Sequence, residues 1–190
     1  LHVLAVDIQS EPLEQACARL KGKPARISPL VCDLSSQENL DRLFEQADAL
    51  LGGIDLFIAN AGFPYYEQIT AADWGHVERI FQVNVFSPLY TIEKMQSLHA
   101  AAPYKVVVTA SAMAHIAVPG YALYSATKAA LDRFADGYRW QMQDPRRLML
   151  VYPIATRTGF FRAAGENVPT AWPSQMPETV AKAILHGIQR

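Results

Sequence analysis

Ser111, Tyr124 and Lys128 are the residues of this chain best equipped to move a proton. Tyr124 and Lys128 stand at i and i+4 in Tyr121-Ala-Leu-Tyr124-Ser-Ala-Thr-Lys128-Ala-Ala-Leu131, so on a helix their side chains share one face, a turn apart. A phenol with a pKa near about 10 is a poor base at neutral pH. An ammonium about 4 Å away contributes up to roughly 4 kcal/mol at an effective dielectric near 20, equivalent to about three pKa units before desolvation opposes it. On that account Lys128 draws Tyr124 toward operating pH, and the pair predicts a general acid/base. Ser111 closes the run Val106-Val-Val-Thr-Ala-Ser111, expected to be a buried strand, and falls just past its carboxyl end, where open α/β sheets hold their ligands. Hydroxyl, phenol and amine can then converge.

Tyr and Lys four residues apart are a common accident of helices, so the elements around them carry the argument. Residues 1–6 form an apolar run ending on Asp7, and Ser10, Glu11 and Pro12 open a helical pattern through Leu13, Ala16, Cys17 and Leu20. A second strand within residues 25–32 ends on Asp33. Ser35 and Glu38 then form a capping box ahead of Leu40, Leu43, Phe44 and Ala47. After Gly52-Gly53 a third strand over residues 54–59 closes on Asn60-Ala61-Gly62. Thr70 and Asp73 start a long helix over residues 71–98, which Pro88 is expected to kink or divide. A fourth strand spans residues 104–109, the helix bearing Tyr124 and Lys128 runs to about Met142, and a fifth strand covers residues 148–152. An irregular segment over residues 153–175 precedes a last helix from Pro177. Strands alternating with helices predict right-handed βαβ units on a doubly wound parallel sheet, a three-layer α/β/α fold in a single domain over residues 1–190.

Composition narrows the function classes. Of the 190 residues 51% are hydrophobic and 18% charged, with 17 basic against 18 acidic side chains, which argues against disorder and against a nucleic-acid partner. Cys17 and Cys32 show no CxxC or Cys/His spacing and read as reduced core thiols. The five histidines do not cluster as metal ligands and read as structural or surface residues, with a pocket wall as the alternative for His115. No apolar run is long enough to span a bilayer, so a cytoplasmic protein without a membrane partner is expected.

A dinucleotide fold needs a glycine-rich turn after its first strand, with the ribose-binding acid about twenty residues further on. The turn after Asp7 reads Ile-Gln-Ser-Glu-Pro and that after Asp33 reads Leu-Ser-Ser-Gln-Glu. Neither can bring backbone amides close to a pyrophosphate. If Asp7 is itself the ribose acid, the glycine turn belongs before Leu1, and the expectation is a fold whose first strand, and also its last, fall outside this sequence.

Taken in order, Asp7, Asp33-Leu34, Asn60-Ala61-Gly62, Asn84-Val85, Ser111, Tyr124-Ser-Ala-Thr-Lys128, and Pro153 with Thr156 resemble the short-chain dehydrogenase/reductase family and its Rossmann-like fold. The resemblance covers nearly the whole chain. It implies an oxidoreductase that passes hydride between a nicotinamide cofactor and a secondary alcohol or ketone, with Asn84, Ser111, Tyr124 and Lys128 as the catalytic set. Tyr124 would exchange the proton of the reacting oxygen, Ser111 would hold that oxygen, and Asn84 would link Lys128 to solvent through water, the alternative for Asn84 being a side chain that satisfies the break near Pro88. Asp7 would accept from the adenosine ribose hydroxyls, Asp33 and Leu34 would contact adenine, and Asn60, Ala61 and Gly62 would lie beside the ribose and nicotinamide, next to Tyr124 and Lys128. Pro153 and Thr156 would meet the carboxamide, with Thr158 as the fallback.

Because a 2'-phosphate would meet the charge of Asp7, and Ile8 rather than a basic residue follows, NAD is expected over NADP. The family usually has Pro-Gly where this chain has Pro153-Ile154, and Ile154 resists conformations open to glycine. Phe63, Tyr65, Tyr66, Met113, Tyr121, Phe160, Phe161 and Trp172 are expected near the strand ends as packing or as the wall of an apolar substrate pocket. A homodimer or homotetramer through the helices ending near Leu98 and Met142 is implied by the same resemblance. Two other readings compete: a cofactor-binding or scaffolding homologue that has lost activity, and a sugar-nucleotide epimerase, which the Asn60-Ala61-Gly62 element fits poorly.

Overall fold

A computed structural model describes residues 1–99, 102–160 and 173–189. These fall into two compact units, Leu1–Asp55 and Leu56–Arg190.

In the first unit β1 (His2–Asp7) and β2 (Arg26–Val31) pair in parallel, with His2 opposite Arg26 and Asp7 opposite Val31. The register brings the two strand ends out at one edge, and the Cys32 amide donates to the Asp7 carbonyl at 3.0 Å. α1 (Ser10–Arg19) buries Leu13, and α2 (Gln37–Leu51) buries Leu40, Leu43, Phe44 and Ala47. The i, i+3, i+4, i+7 spacing of those four is the apolar stripe of an amphipathic helix. The cap of α2 falls one residue later than the spacing predicts: Ser36 accepts from the Asn39 amide at 3.3 Å, while the Ser35 amide is drawn to Asp33 Oδ1 at 2.9 Å.

In the second unit β4 (Lys105–Thr109) is central, paired in parallel with β3 (Leu56–Ala59) on one side and β5 (Leu148–Val151) on the other. Val106, Val107 and Val108 are almost wholly buried, as expected for a strand covered on both faces. Because Ala59 lies opposite Val108 and Thr109 opposite Val151, the segments that follow β3, β4 and β5 leave the sheet at the same edge. Asn60, Ser111 and Pro153 therefore emerge together.

The long helix expected over residues 71–98 is three pieces. α3 (Trp74–Phe81) starts at Asp73, whose carboxylate accepts from the His76 amide, and α4 (Ser87–Leu98) carries Pro88 in its first turn. Between them Gln82–Phe86 is π-helical, closed by the Ser87 amide donating to the Gln82 carbonyl. Pro88 has no N–H to give the carbonyl of Asn84, four residues back, and the chain answers with a wider turn rather than a kink at the proline. Asn84 is thereby placed in the interior, 1% exposed.

The Tyr124 helix, α5 (Ala122–Arg139), is followed by a short 3₁₀ turn over Pro145–Arg147. The segment expected to be irregular contains two short strands, β6 (Ala155–Thr156) and β7 (Ser174–Gln175), paired in parallel. Their two-residue length leaves no periodicity to read. α6 (Pro177–Ile188) completes the described elements. Phe161 and Trp172 lie outside the described residues.

Candidate active site

Lys128 Nζ is held beneath the strand ends. It donates to the carbonyl of Thr109, the last residue of β4, at 2.7 Å, and the Thr109 hydroxyl donates to Asn60 Oδ1 at 3.0 Å. Lys128 is only 4% exposed, and burial of the ammonium lowers its pKa from 10.5 to about 8. Among the described residues its three donors meet one hydrogen-bond acceptor, the Thr109 carbonyl.

Tyr124 is 6% exposed and lies one turn before Lys128, whose Nζ stands 5.6 Å from the phenol ring centroid. The expected depression of the phenol by the ammonium is not what this geometry produces. Burial pushes Tyr124 from 10.0 up to about 12, and its hydrogen bond with Ser111 only partly opposes that rise. Desolvation penalises both charged forms, so the phenol keeps its proton near neutral pH and the lysine sits closer to neutrality than a surface lysine. Ser111 itself caps the 3₁₀ turn Ala112–Ala114, accepting from the Met113 amide at 3.1 Å.

Asn84 uses its whole amide within the protein. Oδ1 accepts from the Phe63 amide at 3.0 Å, and Nδ2 donates to the Phe63 carbonyl at 2.9 Å and to Thr127 Oγ1 at 3.2 Å. The Thr127 hydroxyl in turn donates to the Tyr124 carbonyl at 2.7 Å. Asn84 thus clamps the segment after β3 to α5, and these contacts belong to the turn at Phe63 rather than to the break near Pro88. Gly62 lies against this clamp: a Cβ there would stand 3.1 Å from Asn84 Oδ1 and 3.6 Å from Lys128 Nζ. The absence of a side chain is what lets the backbone approach so closely.

An apolar wall surrounds the phenol. Tyr124, Tyr121 and Ile80 form a buried cluster, with Phe63, Tyr65, Met113 and Phe160 packed against it. Phe160 and Tyr121 meet the Tyr124 ring edge-on, at centroid distances of 5.2 and 6.3 Å. Gly120, with φ of 84°, carries the Tyr66 ring where a Cβ would stand, and its carbonyl accepts from the Glu67 amide at 2.9 Å. Tyr65 stacks on His76, whose ring meets Glu67 at 2.7 Å.

The Ala112 amide donates to the Pro153 carbonyl at 3.0 Å, so Pro153 is tied to the Ser111 turn. Thr156 is half-buried and donates to the Ile154 carbonyl at 2.9 Å, while Thr158 is exposed and accepts from the Phe160 amide. Asn60, Ala61 and Gly62 are exposed at the sheet edge. In the first unit Asp7 and Asp33 are also exposed, each using Oδ1 in a local turn: Asp7 accepts from the Gln9 amide and Asp33 from the Ser35 amide, both at 2.9 Å. Leu34 is half-buried beside Asp33.

Sequence reasoning missed Thr109, Thr127, Asp132 and Tyr152. Asp132 could have been found, since it continues the Tyr124 and Lys128 spacing by one more turn. A cavity of about 300 Å³ lined by Tyr104, Lys105, Arg146 and Arg147 opens at the opposite, amino-terminal edge of β4 and β5, away from these groups. Among the described residues no helix is long and apolar enough to cross a membrane, and no group of three acidic, histidine or cysteine side chains could hold a metal ion.

A buried tyrosine and lysine beside a half-buried serine at the carboxyl edge of a parallel sheet mark an α/β protein with a candidate ligand site at that edge. The description "short chain dehydrogenase" matches residues 1–169, and the chain belongs to that family. It is 26% identical over 195 residues to estradiol 17-beta-dehydrogenase 11 of Pongo abelii, covering 96% of this chain and 61% of that protein. The chain thus spans about three fifths of the length of the estradiol dehydrogenases it matches. A short-chain dehydrogenase from Sphingobium yanoikuyae in complex with NADPH superposes with a TM-score of 0.86 at 21% identity, covering 100% of this chain and 75% of that one. A 3-ketoacyl-(acyl-carrier-protein) reductase from Brucella melitensis complexed with NADH gives 0.79 at 20% identity, covering 96% and 78%. These likenesses bear out the Rossmann-like α/β fold.

Proposed function

We propose that this chain carries the catalytic residues of a nicotinamide-dependent oxidoreductase that interconverts a secondary alcohol and a ketone, Tyr124 being the general acid/base. The observation that carries this reading is the trio itself: a buried Tyr124 phenol bonded to the half-buried Ser111, with the buried Lys128 Nζ 5.6 Å from its ring centroid. The nicotinamide would supply or accept the hydride. With its pKa near about 12, Tyr124 enters the reaction protonated, ready to give its proton to a carbonyl oxygen in the reductive direction. Ser111 holds the same oxygen, and Lys128 stabilises the phenolate that results.

The residues present fit such a cofactor. Among the described residues Lys128 Nζ has two donors left for ribose hydroxyls, beside a glycine that keeps Cβ bulk away. Asn60, Ala61, Gly62, Pro153 and Thr156 are assigned to the nicotinamide end. Asp7, whose Oδ2 takes part in no turn bond, is assigned to the adenosine ribose, and Asp33 and Leu34 to adenine. NAD is preferred over NADP because a 2'-phosphate would face the Asp7 carboxylate. Residues 1–190 are taken as a single dinucleotide-binding and catalytic domain. The aromatic wall around Tyr124 suits a substrate of hydrophobic character. Exposed Phe86, Leu98 and Trp140, at 57%, 57% and 91%, suit a homodimer or homotetramer through α4 and α5, and a monomeric mass in solution would overturn that part. A cytoplasmic location completes the reading.

The deciding experiment is Tyr124→Phe, assayed for turnover with NAD and for NADH binding by fluorescence. Turnover is expected to be lost with binding nearly unchanged. Retained turnover would refute the role of Tyr124, and cofactor binding without turnover in the unaltered protein would point to an inactive, cofactor-binding homologue.

A further inference from the structure

Asp132 is a buried carboxylate, 6% exposed, one turn beyond Lys128 on α5. The acid/base chemistry above does not use it. Its two oxygens face two different segments of the site. Oδ1 accepts from the Tyr152 hydroxyl at 2.6 Å, and Tyr152 is the residue between β5 and Pro153. Oδ2 lies 3.9 Å from His115 Nδ1, just past the 3₁₀ turn capped by Ser111. Arg133 also reaches Oδ2, at 3.6 Å, from an exposed side chain. The His115 and Tyr152 rings are themselves 5.0 Å apart and tilted by 33°. One more bond closes the circuit, from the Ala112 amide to the Pro153 carbonyl at 3.0 Å.

We propose that Asp132 is a positioning residue: through Tyr152 it fixes the Tyr152-Pro153 segment, and through the Ala112 to Pro153 bond it fixes the turn that presents Ser111 to Tyr124. Tyr124, Lys128 and Asp132 recur every four residues along α5, so one helix face carries the acid/base, its cation and the anchor for the opposing loops. A charge-assisted O–H···O⁻ bond at 2.6 Å in a buried setting is short and strong, suited to fixing a backbone segment that would otherwise be a free loop. Misplacing a hydroxyl that must meet a reacting oxygen by about 1 Å can cost up to about 100-fold in rate. The proposal rests on the acid/base reading for its kinetic consequence, but its structural content can be tested without it.

The variant is Tyr152→Phe, which keeps the ring and removes only the donor, and the first readout is hydrogen exchange of backbone amides. Exchange at Ala112 and Met113 is expected to quicken about tenfold while the amides of α5 and β4 keep their protection. Unchanged exchange at Ala112 overturns the proposal, and so does uniform acceleration across α5 and β4, which would mean general loss of stability. The second readout is kinetic: kcat is expected to fall about tenfold with the substrate KM moving less than about threefold. An unaltered kcat in an active preparation also overturns it. Asp132→Asn, which retains an oxygen to accept the Tyr152 hydroxyl, is expected to keep Ala112 protected, whereas Asp132→Leu is not. Equal protection in the two would count against the role. Tyr124→Phe on the same preparation separates the two ideas, because failure of the acid/base reading leaves the exchange result standing.

Discussion

The exposed acids of the first unit and the cluster of Tyr124, Lys128 and Asn84 in the second are built in opposite ways. Asp7 and Asp33 are exposed and held by one short-range turn bond each. Tyr124, Lys128 and Asn84 are buried, and their partners come from segments distant in sequence: Phe63, Thr109, Ser111 and Thr127. The difference follows from the tasks assigned to them. The proposed recognition of ribose hydroxyls needs a carboxylate that a cofactor can reach, which exposure secures. The proposed proton transfer needs a phenol and a cation held together away from bulk water, and the burial that achieves this raises Tyr124 and lowers Lys128.

The contrast is tested most severely by Tyr124→Phe, for which kcat is expected to drop by about a thousandfold or more, while the melting temperature stays close to that of the parent chain. Next comes Asn84→Ala. It strands the amide and carbonyl of Phe63 in a buried setting and is expected to cost about 3 kcal/mol by chemical denaturation, with activity falling alongside.

Lys128→Met addresses burial directly. The folded pKa of Lys128 is about 8 and the unfolded value 10.5, so between these pH values the unfolded chain binds more protons. Lys128 therefore makes stability rise with pH through that window, by about 3 kcal/mol in total. Tyr124 acts in the opposite sense higher up: its folded pKa of about 12 exceeds 10.0, so its contribution is present below pH 10 and is lost as pH climbs toward 12. Denaturation midpoints for parent and Lys128→Met are expected to differ most near pH 7, with the Met variant the more stable, and the gap is expected to close toward pH 10 as the parent alone gains the lysine contribution. Parallel pH curves would show that Lys128 is not held as described.

The smallest effect on stability is expected from Asp7→Ala, within about 0.5 kcal/mol for an exposed side chain. NADH is expected to bind about tenfold more weakly, the loss associated with about 1.4 kcal/mol of hydrogen bonding to a charged acceptor. If Asp7→Ala proved as destabilising as Asn84→Ala, the contrast between the two regions would fail.

Much of this architecture was legible from residue order. Apolar runs located the strands and the Leu40, Leu43, Phe44, Ala47 stripe located a helix face, whereas the capping box expected from Thr70 and Asp73 resolves into a cap at Asp73 itself, three residues later. Tyr124 and Lys128 declared their common face because helix geometry converts sequence spacing directly into direction. The π-helical turn at Gln82–Phe86 was hidden, since the proline that provokes it lies beyond the distortion and nothing in its residues announces a wider turn. The β6 and β7 pair was hidden because its two strands are too short to show a period.

Residue types and their order therefore determined which groups could act and which side of α5 they would share. Tertiary structure decided their state. The cation was countable in the sequence, and it argued for an acidified phenol. Burial was not countable, and it raised Tyr124 while lowering Lys128, because desolvation is set by what the folded chain places around a group. The same is true of the bond between Asp132 and Tyr152: twenty residues separate them along the chain, and only the packing of α5 against the end of β5 makes them partners.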